Sequence, residues 1–74
     1  MGKLPSVKYI LVLDFLQSIG YVIARQKGSH IRLHHKRKIS VTVPAHDPVS
    51  KGVLRKILRD TGQSIEDVVS FLEK

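Results

Sequence analysis

The sequence predicts an α+β domain: one helix, then a three-stranded antiparallel sheet, then one or two further helices, with the helices packed on one face of the sheet. Three observations predict that class. Apolar residues recur at helical spacing before Gly20 and again after Ser50. Between them, Ile31 and Leu33, then Ile39, Val41 and Val43, alternate with polar residues at the strand period of two. The connections inside this middle region are too short for a crossover helix, so neighbouring strands must run antiparallel. A sheet with a single apolar face needs one helical layer to cover it.

The first helix is expected over Val7 to Ile19, with Ser6 as its cap and Gly20 closing it at positive φ. Tyr9, Val12, Leu13, Leu16 and Ile19 form its core stripe, and Asp14, Gln17 and Ser18 lie opposite. Ile10, Leu11 and Phe15 widen the apolar face, either as edges of the core or as a partner surface. Tyr21 to Gln26 has the β-branched and aromatic content of a strand. A two-residue turn at Lys27-Gly28 would set Arg25 against His30 and Ala24 against Ile31. Val22, Ala24, Ile31 and Leu33 would then face inward, and Arg25, His30 and Arg32 outward. That register leaves Ile23 outside, whereas a shifted one would bury Tyr21 and Ile23 and carry Arg25 inward.

A second turn, His35-Lys36-Arg37, leads to a third strand over Lys38 to Val43, with Leu33 opposite Ile39 and Ile31 opposite Val41. Two prolines exclude regular structure from Pro44 to Pro48. Ser50 caps a helix from Lys51 to Thr61 that Gly62 closes; Val53, Leu54, Ile57, Leu58 and Thr61 form its buried face. Ser64 and Asp67 have the spacing of an approximate capping box for a last short helix, with Ile65, Val68, Val69 and Leu72 as its stripe. The whole, residues 1–74, reads as a single domain with a helical tail over about 64–74.

Charge narrows the function. The formal net charge is +7, and ten lysines and arginines between Arg25 and Arg59 share that stretch with one acid, Asp47. Such a concentration is the footprint of a polyanion binder, here read as RNA. The absence of cysteine excludes disulfides and thiolate chemistry and accords with a cytoplasmic location. No apolar run is long enough to span a membrane, and the start, Met1-Gly2-Lys3-Leu4-Pro5, lacks a secretory pattern. Clustered carboxylates are missing, so neither a metal site nor any other cofactor is expected.

Within the basic region His30 is the candidate proton carrier. RNA is cut without metal when the 2′-hydroxyl loses its proton, attacks the phosphate, and the departing 5′-oxygen takes up a proton; a histidine can serve either transfer. Arg25, Lys27, Ser29 and Arg32 around it, and the row Lys51, Arg55 and Arg59 on the second helix, are the expected RNA contacts. His46, in the loop before that helix, is a secondary candidate. Without the proton transfer the same residues would make a non-catalytic RNA-binding module, and a basic face can also hold an acidic protein.

Four stretches fall in a characteristic order: Ile19-Gly20-Tyr21, Gln26-Lys27-Gly28-Ser29-His30, Val41-Thr42-Val43-Pro44-Ala45-His46 and Lys51-Gly52-Val53-Leu54-Arg55-Lys56-Ile57-Leu58-Arg59. In these the chain resembles the HicA (YcfA-like) mRNA interferase toxins from about Leu4 to Glu66. The resemblance implies a fold similar to the double-stranded-RNA-binding domain, endoribonuclease activity on mRNA, neutralisation by a HicB-type antitoxin, and a catalytic histidine in the Gly-Ser-His signature, here His30. The tail from Ile65 to Lys74 is longer than the family pattern.

Overall fold

The computed structural model describes residues 4–73; Met1 to Lys3, part of the start read above, and Lys74 lie outside them. The elements are α1 (Tyr9–Ser18), β1 (Val22–Lys27), β2 (His30–His34), β3 (Val41–Pro44), α2 (Lys51–Thr61) and α3 (Ile65–Leu72). The strands form one antiparallel sheet in the order β1-β2-β3. Helices cover one of its faces, as the alternation of β2 requires: Ile31 and Leu33 are buried while His30, Arg32 and His34 are exposed. Leu33 and Val43 meet Leu16 of α1 and Leu54 of α2 within one continuous core.

α1 begins two residues later than expected. Ser6 does not cap it; Val7 instead pairs with Val49 in an isolated bridge, its carbonyl accepting the Val49 N–H at 2.8 Å. The N-cap, Lys8, supplies no side-chain bond. The first N–H of the helix, from Tyr9, is taken by the Asp47 carboxylate at 2.8 Å, thirty-eight residues along the chain. An anion at a helix N-terminus satisfies an orphan donor and complements the dipole. Val12, Leu13, Phe15 and Leu16 are buried, so Phe15 belongs to the core; Ile10 and Leu11 remain exposed.

The β1–β2 register differs from the expectation. The turn is Gly28-Ser29, with Gly28 at φ +58°, a positive φ at the first central position that glycine accepts without strain. Lys27 stands opposite His30, Gln26 opposite Ile31 and Arg25 opposite Arg32. A bulge at Ala24 then shifts the pairing, so that Ile23 meets Leu33 and Val22 meets His34. Val22 therefore faces outward, and the predicted apolar set of Val22 and Ala24 does not form. One extra residue reverses the facing of everything beyond it. The bulge thus leaves Arg25 on the outer face opposite Arg32 while Ile23 pairs with the buried Leu33, although Ile23 itself stays 46% exposed.

β3 is shorter than expected and slips by two residues: Leu33 pairs with Val41, Ile31 with Val43 and His30 with Pro44. A slip of two preserves the faces, so Val41 and Val43 are still buried. Ile39 leaves the strand and is exposed, because tertiary bonds hold the 35–40 connection open. The Tyr21 hydroxyl donates to the Ile39 carbonyl at 2.8 Å, and Lys38 Nζ donates to the Thr61 carbonyl at 2.9 Å. Burial of the ring, and then repulsion from the Asp60 carboxylate, push the Tyr21 pKa up, so the hydroxyl stays a donor.

α2 and α3 follow the expected boundaries. Ser50 Oγ accepts from the Val53 N–H, Gly62 closes α2 at φ +72°, and Ser64 with Asp67 completes the reciprocal capping box of α3. The tail is part of the fold: Val68 is buried, and Phe71 packs edge-on against Phe15 with ring centroids 5.5 Å apart. Phe71→Ala should cost about 2 kcal/mol through lost burial and the aromatic pair. A melting curve indistinguishable from the parent would detach α3 from the core. Gly20, at φ +105°, closes α1, and a Cβ there would lie 2.7 Å from His35 Nε2. Gly20→Ala combines backbone strain with that clash and should destabilise by roughly 1–3 kcal/mol, read by denaturant midpoint.

Candidate nucleic-acid interface

The uncovered face of the sheet assembles the predicted cluster. Arg25, Lys27, His30, Arg32, His34 and Thr42 line one shallow depression of about 350 Å³. The pairings explain it: Lys27 is opposite His30 and Arg25 opposite Arg32, so three cations surround one imidazole. Arg32 is held on this face by a 3.0 Å bond from its guanidinium to Thr42 Oγ1 on β3. None of the residues lining this depression is acidic. Among the described residues the one ion pair is Arg59 with Asp60, at 3.6 Å on α2. Like charges directly opposite on a sheet repel, at about 0.2–1 kcal/mol for such pairs. A polyanion laid across the face removes that repulsion.

A second groove of about 330 Å³ continues from the first around the free edge of β3 to α2. His30, Arg32 and Thr42 line both depressions, so the two are one surface with His30 at their junction. The α2 side of this groove is Val53, Lys56, Ile57 and Asp60. Lys51, Arg55 and Arg59, the basic row expected to make contact, are exposed but line neither depression. Lys56 and Asp60 were not singled out from the sequence. Their signal is the spacing 53, 56, 57, 60, the helical stripe bordering the core-facing residues.

Ser29 is half-buried in the turn, and its carbonyl accepts the Ala45 N–H at 2.7 Å. That bond ties the turn before His30 to the loop carrying His46. His46 itself is exposed and lines neither depression. His34 joins the outer face, whereas His35 does not: its Nε2 bonds the Ile19 carbonyl at 3.0 Å, its Nδ1 accepts the Arg37 N–H at 2.9 Å, and its ring packs on Tyr21. Among the described residues no group of three or more His, Cys, Asp or Glu side chains could hold a metal ion, and no helix is long and apolar enough to cross a membrane.

The arrangement can bind phosphates along a cationic surface and present two exposed imidazoles to them, His30 and His34, of which His30 also lines the second groove. A comparison with curated proteins finds no match. Residues 12–63, from the core stripe of α1 through the sheet to the end of α2, match the sequence model of a family described as the HicA toxin of bacterial toxin–antitoxin systems, and the chain belongs to that family.

Proposed function

We propose that this toxin is a metal-independent endoribonuclease acting on mRNA, with His30 as its catalytic residue, and that a HicB-type antitoxin neutralises it. The observation that carries the reading is the position of His30, exposed at the junction of two depressions, among Arg25, Lys27 and Arg32 on an acid-free stretch of sheet. The arginines and lysines hold the phosphate and offset the charge that grows on its oxygens. The imidazole moves the proton: it takes one from the 2′-hydroxyl as that oxygen attacks phosphorus, or gives one to the departing 5′-oxygen. The two transfers balance each other: the proton lost by the 2′-hydroxyl is matched by the one gained by the 5′-oxygen as the P–O5′ bond breaks, with water serving whichever transfer His30 does not. Lys56 contributes from α2, while Lys51, Arg55 and Arg59 extend the positive field that draws RNA in. Ser29 precedes His30 in the turn, and its bond to Ala45 holds that turn against the loop carrying His46, so both act on the site by positioning it rather than by lining it. An antitoxin that covers this face with acidic groups would block the phosphates and His30 together.

His30→Ala should lower the cleavage rate by roughly 10²–10⁴-fold, the range for loss of a general acid or base. The fold should survive, since the ring is exposed and makes no core contact. RNA affinity should stay within a few-fold, because the cations remain. Cleavage in EDTA, melting and binding, measured on purified mutant, decide it. Cleavage near the parental rate refutes the assignment, and loss of both cleavage and the melting transition makes His30 structural.

Four cations line the surface: Arg25, Lys27, Arg32 and Lys56. At about −0.7 per contact with a single strand, log affinity should fall with log salt at a slope of roughly −2.8. Arg25→Ala with Arg32→Ala should flatten the slope by about 1.4, and Arg55→Ala with Arg59→Ala by clearly less. The reverse order would move the phosphate path from the sheet to the outer side of α2.

A further inference from the structure

A third cavity, of about 540 Å³, adjoins the cationic face at the far end of β2 and is lined by Gly20, Val22, His34, His35, Lys36 and Arg37. His34 belongs both to it and to the depression around His30, so the two adjoin at that side chain. Resting on the RNA reading above, we infer that this cavity is a subsite for one unstacked nucleobase of the RNA strand whose backbone crosses the sheet.

The chemistry of the walls selects a base over a phosphate. Val22, outward-facing and 61% exposed, is an apolar side chain on an otherwise cationic face, and Gly20, lacking a Cβ, lets the His35 ring lie close against the backbone beside it. His35 is a fixed ring: both nitrogens are engaged within the chain, and Tyr21 packs against it at 4.8 Å between centroids. A wall already immobilised loses no further freedom when a flat ligand settles on it. Lys36, Arg37 and His34 ring the rim, where the phosphates on either side of an inserted base would lie. The volume falls within the range of small-ligand pockets. Charge complementarity names the occupant: an apolar, ring-walled cavity with a cationic rim, opening onto a cationic track, fits a base carried on a polyanion. From His30 to His34 is four residues of strand, about 13 Å, so the base belongs a few nucleotides from the cut.

The test uses the unmodified protein and a short 2′-O-methyl oligoribonucleotide, which lacks the attacking hydroxyl, with a single abasic position walked along it. One position should weaken binding by roughly 5- to 100-fold when its base is removed, the range for loss of one stacked base. Val22→Lys fills the cavity and adds a positive charge; it should erase that position's penalty without weakening the abasic strand. Binding that is equally tight for every abasic strand overturns the subsite while leaving the phosphate-binding reading intact. No binding of any strand overturns both. Insensitivity to base removal, together with weaker antitoxin capture by Val22→Lys, assigns the cavity to the protein partner and also overturns the inference.

Discussion

Burial of Ile31 and Leu33 beneath the two long helices decides what stands on the other side of β2. Both side chains are almost inaccessible to solvent, and successive strand residues must point to opposite faces. His30, Arg32 and His34 are thereby forced outward. Magnitudes settle the contest. Burying a leucine contributes about 1.5–3 kcal/mol, and the repulsion between the facing Arg25 and Arg32 costs about 0.2–1 kcal/mol. The core can therefore hold together an outer face that is unfavourable by itself, and the unfavourable face is the one that a polyanion relieves.

The sheet's two edges serve this face differently. β1 is exposed along its whole length, Ile23 included, and its bulge is the device that lets Arg25 stand opposite Arg32 while Ile23 pairs with Leu33. β3 is short and fully engaged on its inner side by α1 and α2, so its open edge forms a groove with α2. His30 lies where the flat face and the edge groove meet. On the proposed reading, a strand of RNA following the cations passes it.

Long-range polar bonds hold the connecting segments. Asp47 caps α1, Tyr21 and Lys38 tie the 35–40 connection to the rest of the fold, and His35 closes the end of α1. Each satisfies a backbone group that would otherwise be stranded between elements. His35 thus does structural work one residue from His34, which faces the site. Neighbouring histidines in one strand-and-turn segment have separate roles because the strand ends between them.

How much of this was legible from the sequence follows from the range of each interaction. Local periodicity and caps determined α2, α3, the faces of β2 and β3, and hence the outward cluster of His30 and Arg32; these depend on residues within a few positions of one another. The cap of α1 depends on Asp47, and the two-residue slip of β3 on the bonds from Tyr21 to Ile39 and from Lys38 to Thr61, all between residues distant in the chain; these, and the bulge at Ala24 in the pairing of β1 with β2, only the tertiary structure decided. The same holds for the site's outer limits. Composition placed the positive charge in the middle of the sequence, but the way α2 settles against the edge of β3 turned Lys56 and Asp60, rather than Arg55 and Arg59, into the groove. A helix's exposed side is periodic in sequence, whereas the part of it that meets a neighbouring edge is set by packing.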